Sequence, residues 1–272
     1  MGVDIAEKIL HLTVRIETRR LDGAVSTGTG FYFNYCMRDN MSVPAVVTNK
    51  HVVENADSMT VHFSVFNEDG TIAERKERLE VNGMLGHWIM HPEPDVDLCV
   101  LPIAQVLNGF AEAGKRLAIT PLDVSFVAGE EKMKSLSAIE DITMIGYPNG
   151  LWDDVNNLPI VRKGITATPV STDYRGKKEF LIDSACYPGS SGSPVLLFNE
   201  GSYKEGDGIV LGSRLLLLGV LYAVPVRDVE GAIVVGNVPR VYSQGMLNLG
   251  CVIKAEKLLD FESILMAGQL AS

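Results

Sequence analysis

Basic residues are scarce in this 272-residue chain. Its 24 Lys and Arg stand against 34 Asp and Glu, a formal net charge of −10. A surface that binds nucleic acid or an anionic membrane needs clustered cations, so neither partner is expected. The two small basic clusters, Arg75 to Arg78 interrupted by Glu77 and Lys132 to Lys134 interrupted by Met133, read as solvated faces. Long apolar runs are also missing. The greasiest stretch, Leu215 to Val226, is broken by Gly219 and Pro225, and it falls short of the roughly 20 apolar residues that span a bilayer. The start, MGVDIAEKILHL, has two acids and no basic segment, long apolar core or small-residue cleavage site. No secretory leader is therefore expected, and a cytoplasmic location is the favoured reading. Cysteine is sparse too. Cys36, Cys99, Cys186 and Cys251 show no CxxC spacing, which argues against a zinc ribbon or a redox pair. Cys99 and Cys251 lie in apolar runs and read as buried small hydrophobes. No metal or cofactor is expected.

With 46% hydrophobic and 21% charged residues, the chain is able to bury a large core, as one big all-β domain or two smaller ones. Short alternating or apolar segments recur between turn residues. They are Leu12 to Ile16, Thr29 to Phe33, Ala45 to Thr48, Ser58 to Val65, Leu98 to Pro102, Ile142 to Gly146, Phe180 to Asp183, Val195 to Phe198, Leu216 to Val224 and Gly250 to Ile253. That pattern predicts an all-β barrel or sandwich. Helical periodicity is confined to the edges, at Asp4 to Leu10 with Asp4 as cap and at Ala255 to Met266. No internal repeat or low-complexity segment is present. The mixture of Gly, Pro and charge from Ala111 to Met133 places the connection between two halves, divided as 1–115 and 116–272. Asn199 to Arg214 and Arg227 to Asn248 read as long loops.

Three segments carry chemistry. Pro188-Gly189-Ser190-Ser191-Gly192-Ser193-Pro194 is a small-residue turn before an apolar strand, able to expose a serine hydroxyl. Glycine at Gly189 permits a positive φ that aims its own N–H and that of Ser191 at one point, a donor pair for a developing oxyanion. Taken alone, the turn could equally be a plain loop. In Val46-Val47-Thr48-Asn49-Lys50-His51-Val52-Val53 a histidine follows a strand and opens a helical turn. In Pro94-Asp95-Val96-Asp97-Leu98-Cys99 an acid abuts a buried strand, expensive unless something such as an imidazole N–H pairs with it. The order is His, Asp, Ser, with separations of about 45 and 95 residues, one of the known chain orders of the Ser-His-Asp arrangement.

On these segments the chain resembles the trypsin-like peptidases. TNKHVV is similar to that family's T-A-x-H segment, DVDLCVLPI to its D-I-A-L segment and GSSGSPV to its G-[DN]-S-G-[GS]-P segment. Within the superfamily it resembles the bacterial HtrA-type proteases and glutamyl endopeptidases more than the secreted digestive enzymes. GTGFYF at 28–33, ITMIGYPNGL at 142–151, VRKGITA at 161–167 and IDSACYPGSSGSPV at 182–195 carry that likeness. The resemblance implies two six-stranded antiparallel β-barrels with a C-terminal helix. It also implies a serine endopeptidase with Ser191 as nucleophile, His51 as general base, Asp97 orienting the histidine, and an oxyanion hole from the Gly189 and Ser191 amides. Asp95 is the rival for the role of Asp97, and the family's D-[IL]-x-[LV] pattern favours Asp97. No cysteine flanks His51, so the disulfide usual there is missing. Ser190 stands where an aspartate would pair with a new N-terminus, so no zymogen cleavage of that type is expected. No PDZ domain is expected after the last predicted strand.

The resemblance further places Leu218 to Ala223 beside a protein or peptide substrate. Ala185, Leu221, Tyr222 and Ala223 are the candidate substrate-binding residues, and an uncharged pocket there suggests a small or apolar residue before the cut. The loop at 227–248 is read as a gate for the site, and a regulatory partner protein is left open. His87 and His91 are four apart, but Pro92 and Pro94 break any helix that would align them on a metal. Gly28-Thr29-Gly30 lacks the lysine or helix of a phosphate loop. Cys186 is a weak candidate for a redox-sensitive thiol and reads better as a packed residue. The alternative function is a catalytically inactive binding or scaffold protein on a protease fold. An esterase elbow is disfavoured because Ser191 precedes Gly-Ser-Pro and a strand rather than a helix.

Overall fold

A computed structural model describes residues 4–39, 41–206, 208–223, 226–232 and 240–270. The first half is built from β1 (Thr13–Arg19), β2 (Val25–Arg38), β3 (Met41–Thr48), β4 (Ser58–Phe66), β5 (Ile72–Asn82), β6 (Ile89–Met90), β7 (Cys99–Pro102), β8 (Arg116–Leu117) and β9 (Leu122–Asp123). They form one nine-stranded, barrel-like sheet in the order β5-β4-β1-β2-β3-β7-β6, with β8 on β4 and β9 on β2. The second half contains β10 (Asp141–Gly146), β11 (Ile160–Thr166), β12 (Glu179–Asp183), β13 (Pro194–Asn199), β14 (Ser202–Glu205), β15 (Gly208–Leu211), β16 (Arg214–Ala223), β17 (Val226–Ala232), β18 (Arg240–Met246) and β19 (Leu249–Lys254). Six of these close a barrel, β10-β11-β12-β19-β16-β13. The fold is chymotrypsin-like and mostly β, as expected.

Helices are more numerous than the sequence pattern suggests. α1 (Ile5–Ile9) and α5 (Asp260–Leu270) lie at the expected edges, and Asp4 holds the cap position of α1 without a side-chain hydrogen bond. The expectation of helix only at the edges is corrected by α2 (Lys50–Val53), α3 (Ala104–Glu112) and α4 (Glu130–Ser135). α3 buries none of its residues completely, which is why its apolar stripe is short in sequence. The segment 199–214, read as a loop, is a β14–β15 hairpin, and much of 227–248 is a β17–β18 ribbon. Among the described residues each of these ribbons pairs only with itself, and Ile209 and Leu211 of the first stay exposed.

Three apolar clusters make the core. One fills the first half around Val14, Ile16, Val61 and Phe63. Another fills the barrel around Ile142, Phe180, Val195 and Leu218. The third joins the halves: Phe31, Phe33 and Tyr35 of β2 meet Ile145, Leu196 and Val220 of the barrel, and Phe261 and Leu265 of α5 seal the joint. The Phe261 ring stands edge-on to Tyr35 at 6.2 Å and to His91 at 5.3 Å. His91 is buried, and its Nε2 bonds to Asp260 Oδ2 at 3.0 Å while Nδ1 accepts from the Glu93 amide at 3.1 Å. Because Nδ1 accepts, Nε2 carries the proton and donates to Asp260. His91 thus ties α5 to the strand-leading loop and takes the structural role expected of it.

Candidate active site

Antiparallel pairing brings the histidine and the acid together. β3 and β7 pair with Thr48 opposite Cys99, and continuing that register past the strand ends sets residue 50 opposite residue 97. The chain leaves β3 through the extended Asn49 into α2, whose Val52 and Val53 are buried and hold the turn against the sheet. Gly28 of β2 allows this approach, since a Cβ there would stand 2.4 Å from Val52 Cγ1. His51 then meets Asp97 twice: its amide donates to Oδ1 at 3.1 Å, and Nδ1 lies 2.5 Å from Oδ2. A carboxylate only accepts, so Nδ1 carries the proton and Nε2 is left as a base. Asn49, with no exposed surface, donates from Nδ2 to the Asp97 carbonyl at 2.7 Å and fixes the acid's backbone. Asp97, not Asp95, is the acid at the ring.

The serine turn closes off the β13–β16 ladder. Pairing of Pro194 with Val220 continues through Leu221 N to Ser193 O at 2.9 Å and Gly192 N to Leu221 O at 2.8 Å. Ser191 therefore sits at the ladder's end beside Tyr222, and its Oγ donates to the Tyr222 carbonyl at 3.4 Å. Among the described residues this is the hydroxyl's hydrogen bond.

The amides around the nucleophile are oriented by their own carbonyls. In a trans peptide C=O and N–H point in opposite directions. The Pro188 carbonyl accepts from Asn149 N at 2.5 Å and the Ser190 carbonyl from Ser193 N at 3.0 Å. The N–H groups of Gly189 and Ser191 consequently point away from these bonds, and among the described residues neither donates to a protein acceptor. Gly189 takes φ +86°, and a Cβ there would stand 2.5 Å from the Tyr147 carbonyl. Glycine is thus required both by dihedral and by space. Two outward amides beside a half-exposed serine form an electropositive notch suited to an oxyanion.

The substrate-strand candidates divide. Leu221 is completely buried in the barrel core, and its N–H and C=O are both used by the serine turn. Tyr222 turns its side chain away to Glu179, its hydroxyl donating to Oε2 at 2.9 Å. Burial and that carboxylate hold its phenol well above the usual tyrosine range. The Tyr222 carbonyl, by contrast, faces Ser191. Ala185 and Ala223 are half-buried. The Ala185 carbonyl accepts from the guanidinium of Arg162, which stacks on the Tyr187 ring at 4.8 Å. This cation beside a pocket expected to be uncharged was not legible in the sequence. Of the segment read as a gate, 226–232 pairs with 240–246, and 233–239 lie outside the described residues. Cys186 is buried and its thiol is pushed up to about 11 by burial, the state of a packed rather than a reactive cysteine.

A chymotrypsin-like fold that carries a His–Asp couple on one half and a glycine-rich serine turn on the other fits the trypsin-like peptidase class. The family of trypsin-like peptidase domains matches residues 28–203, and the chain belongs to that family. No curated protein matches the chain. Among solved structures, the HtrA-type protease AlgW with tripeptide is similar at 18% identity and a TM-score of 0.50, over 97% of this chain and 63% of that one. The chain therefore spans less than two thirds of that relative's length. The active form of the Rv3671c protease from M. tuberculosis follows at 17% identity and a TM-score of 0.46, covering 100% of this chain and 87% of that one. Deg5 is similar at 19% identity and 0.45, covering 82% and 88%. Among the described residues no helix is long and apolar enough to cross a membrane.

Proposed function

We propose that the protein is a serine endopeptidase that hydrolyses peptide bonds through an acyl-enzyme formed on Ser191. The observation that carries this reading is the His51–Asp97 couple beside a serine turn whose Gly189 and Ser191 amides are turned outward. Ser191 Oγ attacks the scissile carbonyl and passes its proton to His51 Nε2. The imidazolium formed is stabilised by Asp97 and returns the proton to the leaving amine. Water then repeats the sequence on the ester, releasing the acid and restoring the serine. The two amides hold the oxyanion, a contribution of about 3–4 kcal/mol per donor. A substrate backbone N–H would be received by the Tyr222 carbonyl once Ser191 Oγ leaves it for His51.

The family assignment supports protease chemistry, and AlgW carries a tripeptide in its structure; protein or peptide substrates are the matching class here. The small side chains of Ala185 and Ala223 favour a small or apolar residue before the cut, with the Arg162 guanidinium on the Ala185 carbonyl as a charge beside it. Four free thiols support a reducing compartment. The test is labelling with a fluorophosphonate and location of the adduct by mass spectrometry. An adduct on Ser191 that vanishes in Ser191→Ala is expected. Well-folded protein that takes no label would favour a non-catalytic binding or scaffold protein on the same fold, and would overturn the endopeptidase reading.

A further inference from the structure

Thr29 of β2 is completely buried and uses every polar atom it has, and each bond runs to a part of the candidate site. Its amide donates to the Ser191 carbonyl at 2.9 Å. Its Oγ1 donates to the Gly189 carbonyl at 2.9 Å and accepts from the Tyr147 amide at 3.1 Å. Its own carbonyl accepts from Thr48 Oγ1 at 2.7 Å, three residues before His51. The close fit shows on the glycines around it. A Cβ on Gly192 would stand 1.9 Å from the Thr29 carbonyl, and one on Gly146 would stand 2.7 Å from Thr29 Oγ1.

We infer that Thr29 is a positioning residue that clamps the oxyanion turn to the histidine-bearing half of the molecule. The inference rests on the reading of Ser191 as nucleophile and Gly189 as oxyanion donor. The Gly189 residue is held at both ends: Asn149 N fixes the Pro188 carbonyl, and Thr29 Oγ1 fixes the Gly189 carbonyl. A flip of the Pro188–Gly189 peptide, which would turn the Gly189 amide out of the notch, has to break the Asn149 bond, while Thr29 holds the carbonyls of Gly189 and Ser191, the peptides that directly follow the two notch amides. Because the main-chain carbonyl of the same residue also accepts from Thr48 Oγ1, the serine turn and the strand leading to His51 are joined through one residue. The hydroxyl is the component that holds the Gly189 carbonyl. Valine has the same shape but would leave the Gly189 carbonyl without a donor and the Tyr147 amide without an acceptor, both buried.

The experiment compares Thr29→Val and Thr29→Ser on the intact chain. For Thr29→Val, kcat on a peptide substrate is expected to fall about 10- to 100-fold with KM within about twofold, the size of effect a sub-ångström misplacement produces. Thr29→Ser keeps the hydroxyl and is expected to stay within a few fold of the parent, which a mere packing role for the missing methyl would not give. Hydrogen exchange over residues 187–192 is measured alongside, and faster exchange there in Thr29→Val but not in Thr29→Ser is the expected result. That readout does not need turnover. A parent protein that takes no fluorophosphonate would defeat the nucleophile reading, while exchange alone would still decide the clamp. Equal rates and equal exchange in Thr29→Val and parent overturn the inference, as does equal impairment of the two variants. Thr29→Ala, with space for a water in place of the hydroxyl, is read the same way where valine does not fold.

Discussion

His51 meets Asp97 through both its amide and its ring, so the acid fixes the position of the backbone and the tautomer of the imidazole together. Asparagine at 97 would keep an oxygen for one of these bonds but present an N–H₂ to the other. The imidazole would then carry its proton on Nε2, a donor where the proposed mechanism needs a base. For Asp97→Asn, kcat on a peptide substrate is expected to drop by about 10⁴ with little change in KM, as found when this tautomer is lost in related triads. Steady-state kinetics at saturating substrate measures it. A loss confined to KM would mean that Asp97 serves substrate binding instead.

At the scale of elements, the three motif segments were legible because each is local: a strand end, a single helical turn and a glycine-rich turn leave short signatures in sequence. Their supports were not. Thr29 lies 160 residues from the Gly189 it holds, and Asn149 and Asn49 are ordinary turn residues until the fold sets their amides on particular carbonyls. Gly28-Thr29-Gly30 stood out in the sequence as a family-like stretch, but as composition it said only what it was not. β5 escaped notice because Glu, Lys and Arg occupy most of it, a common guard on a strand with one unpaired edge. β11 escaped because Val161 and Ile165 face outward and its alternation reads weakly. Gly28 tests how tightly the elements fit. In Gly28→Ala the new Cβ meets the buried Val52, and overpacking of this kind costs about 1–3 kcal/mol. A lower denaturant midpoint, together with reduced fluorophosphonate labelling as α2 shifts His51, is the expected outcome. Full stability would mean that α2 moves freely on β2.

For the whole molecule, pH should act through half-buried histidines well above the carboxylate range. His62 is held below the usual histidine value, by burial first and then by Arg15, Lys76 and Arg78; burial alone does the same to His11. The folded protein refuses protons that the unfolded chain accepts. The stability these groups contribute is present above about pH 6.5 and is lost as pH falls below it. Urea midpoints at pH 7.5 and 5.5 are expected to differ in that direction, and His62→Gln should narrow the gap. A midpoint that rises on acidification would contradict the sign. A last consequence concerns the order of synthesis. α5 seals the core shared by the two halves, yet it is made after His51, Asp97 and Ser191 have all left the ribosome. A chain made only as far as Lys254 would hold His51, Asp97 and Ser191 without the helix that seals the joint between the halves, and is expected to take up fluorophosphonate more slowly than the chain that carries α5.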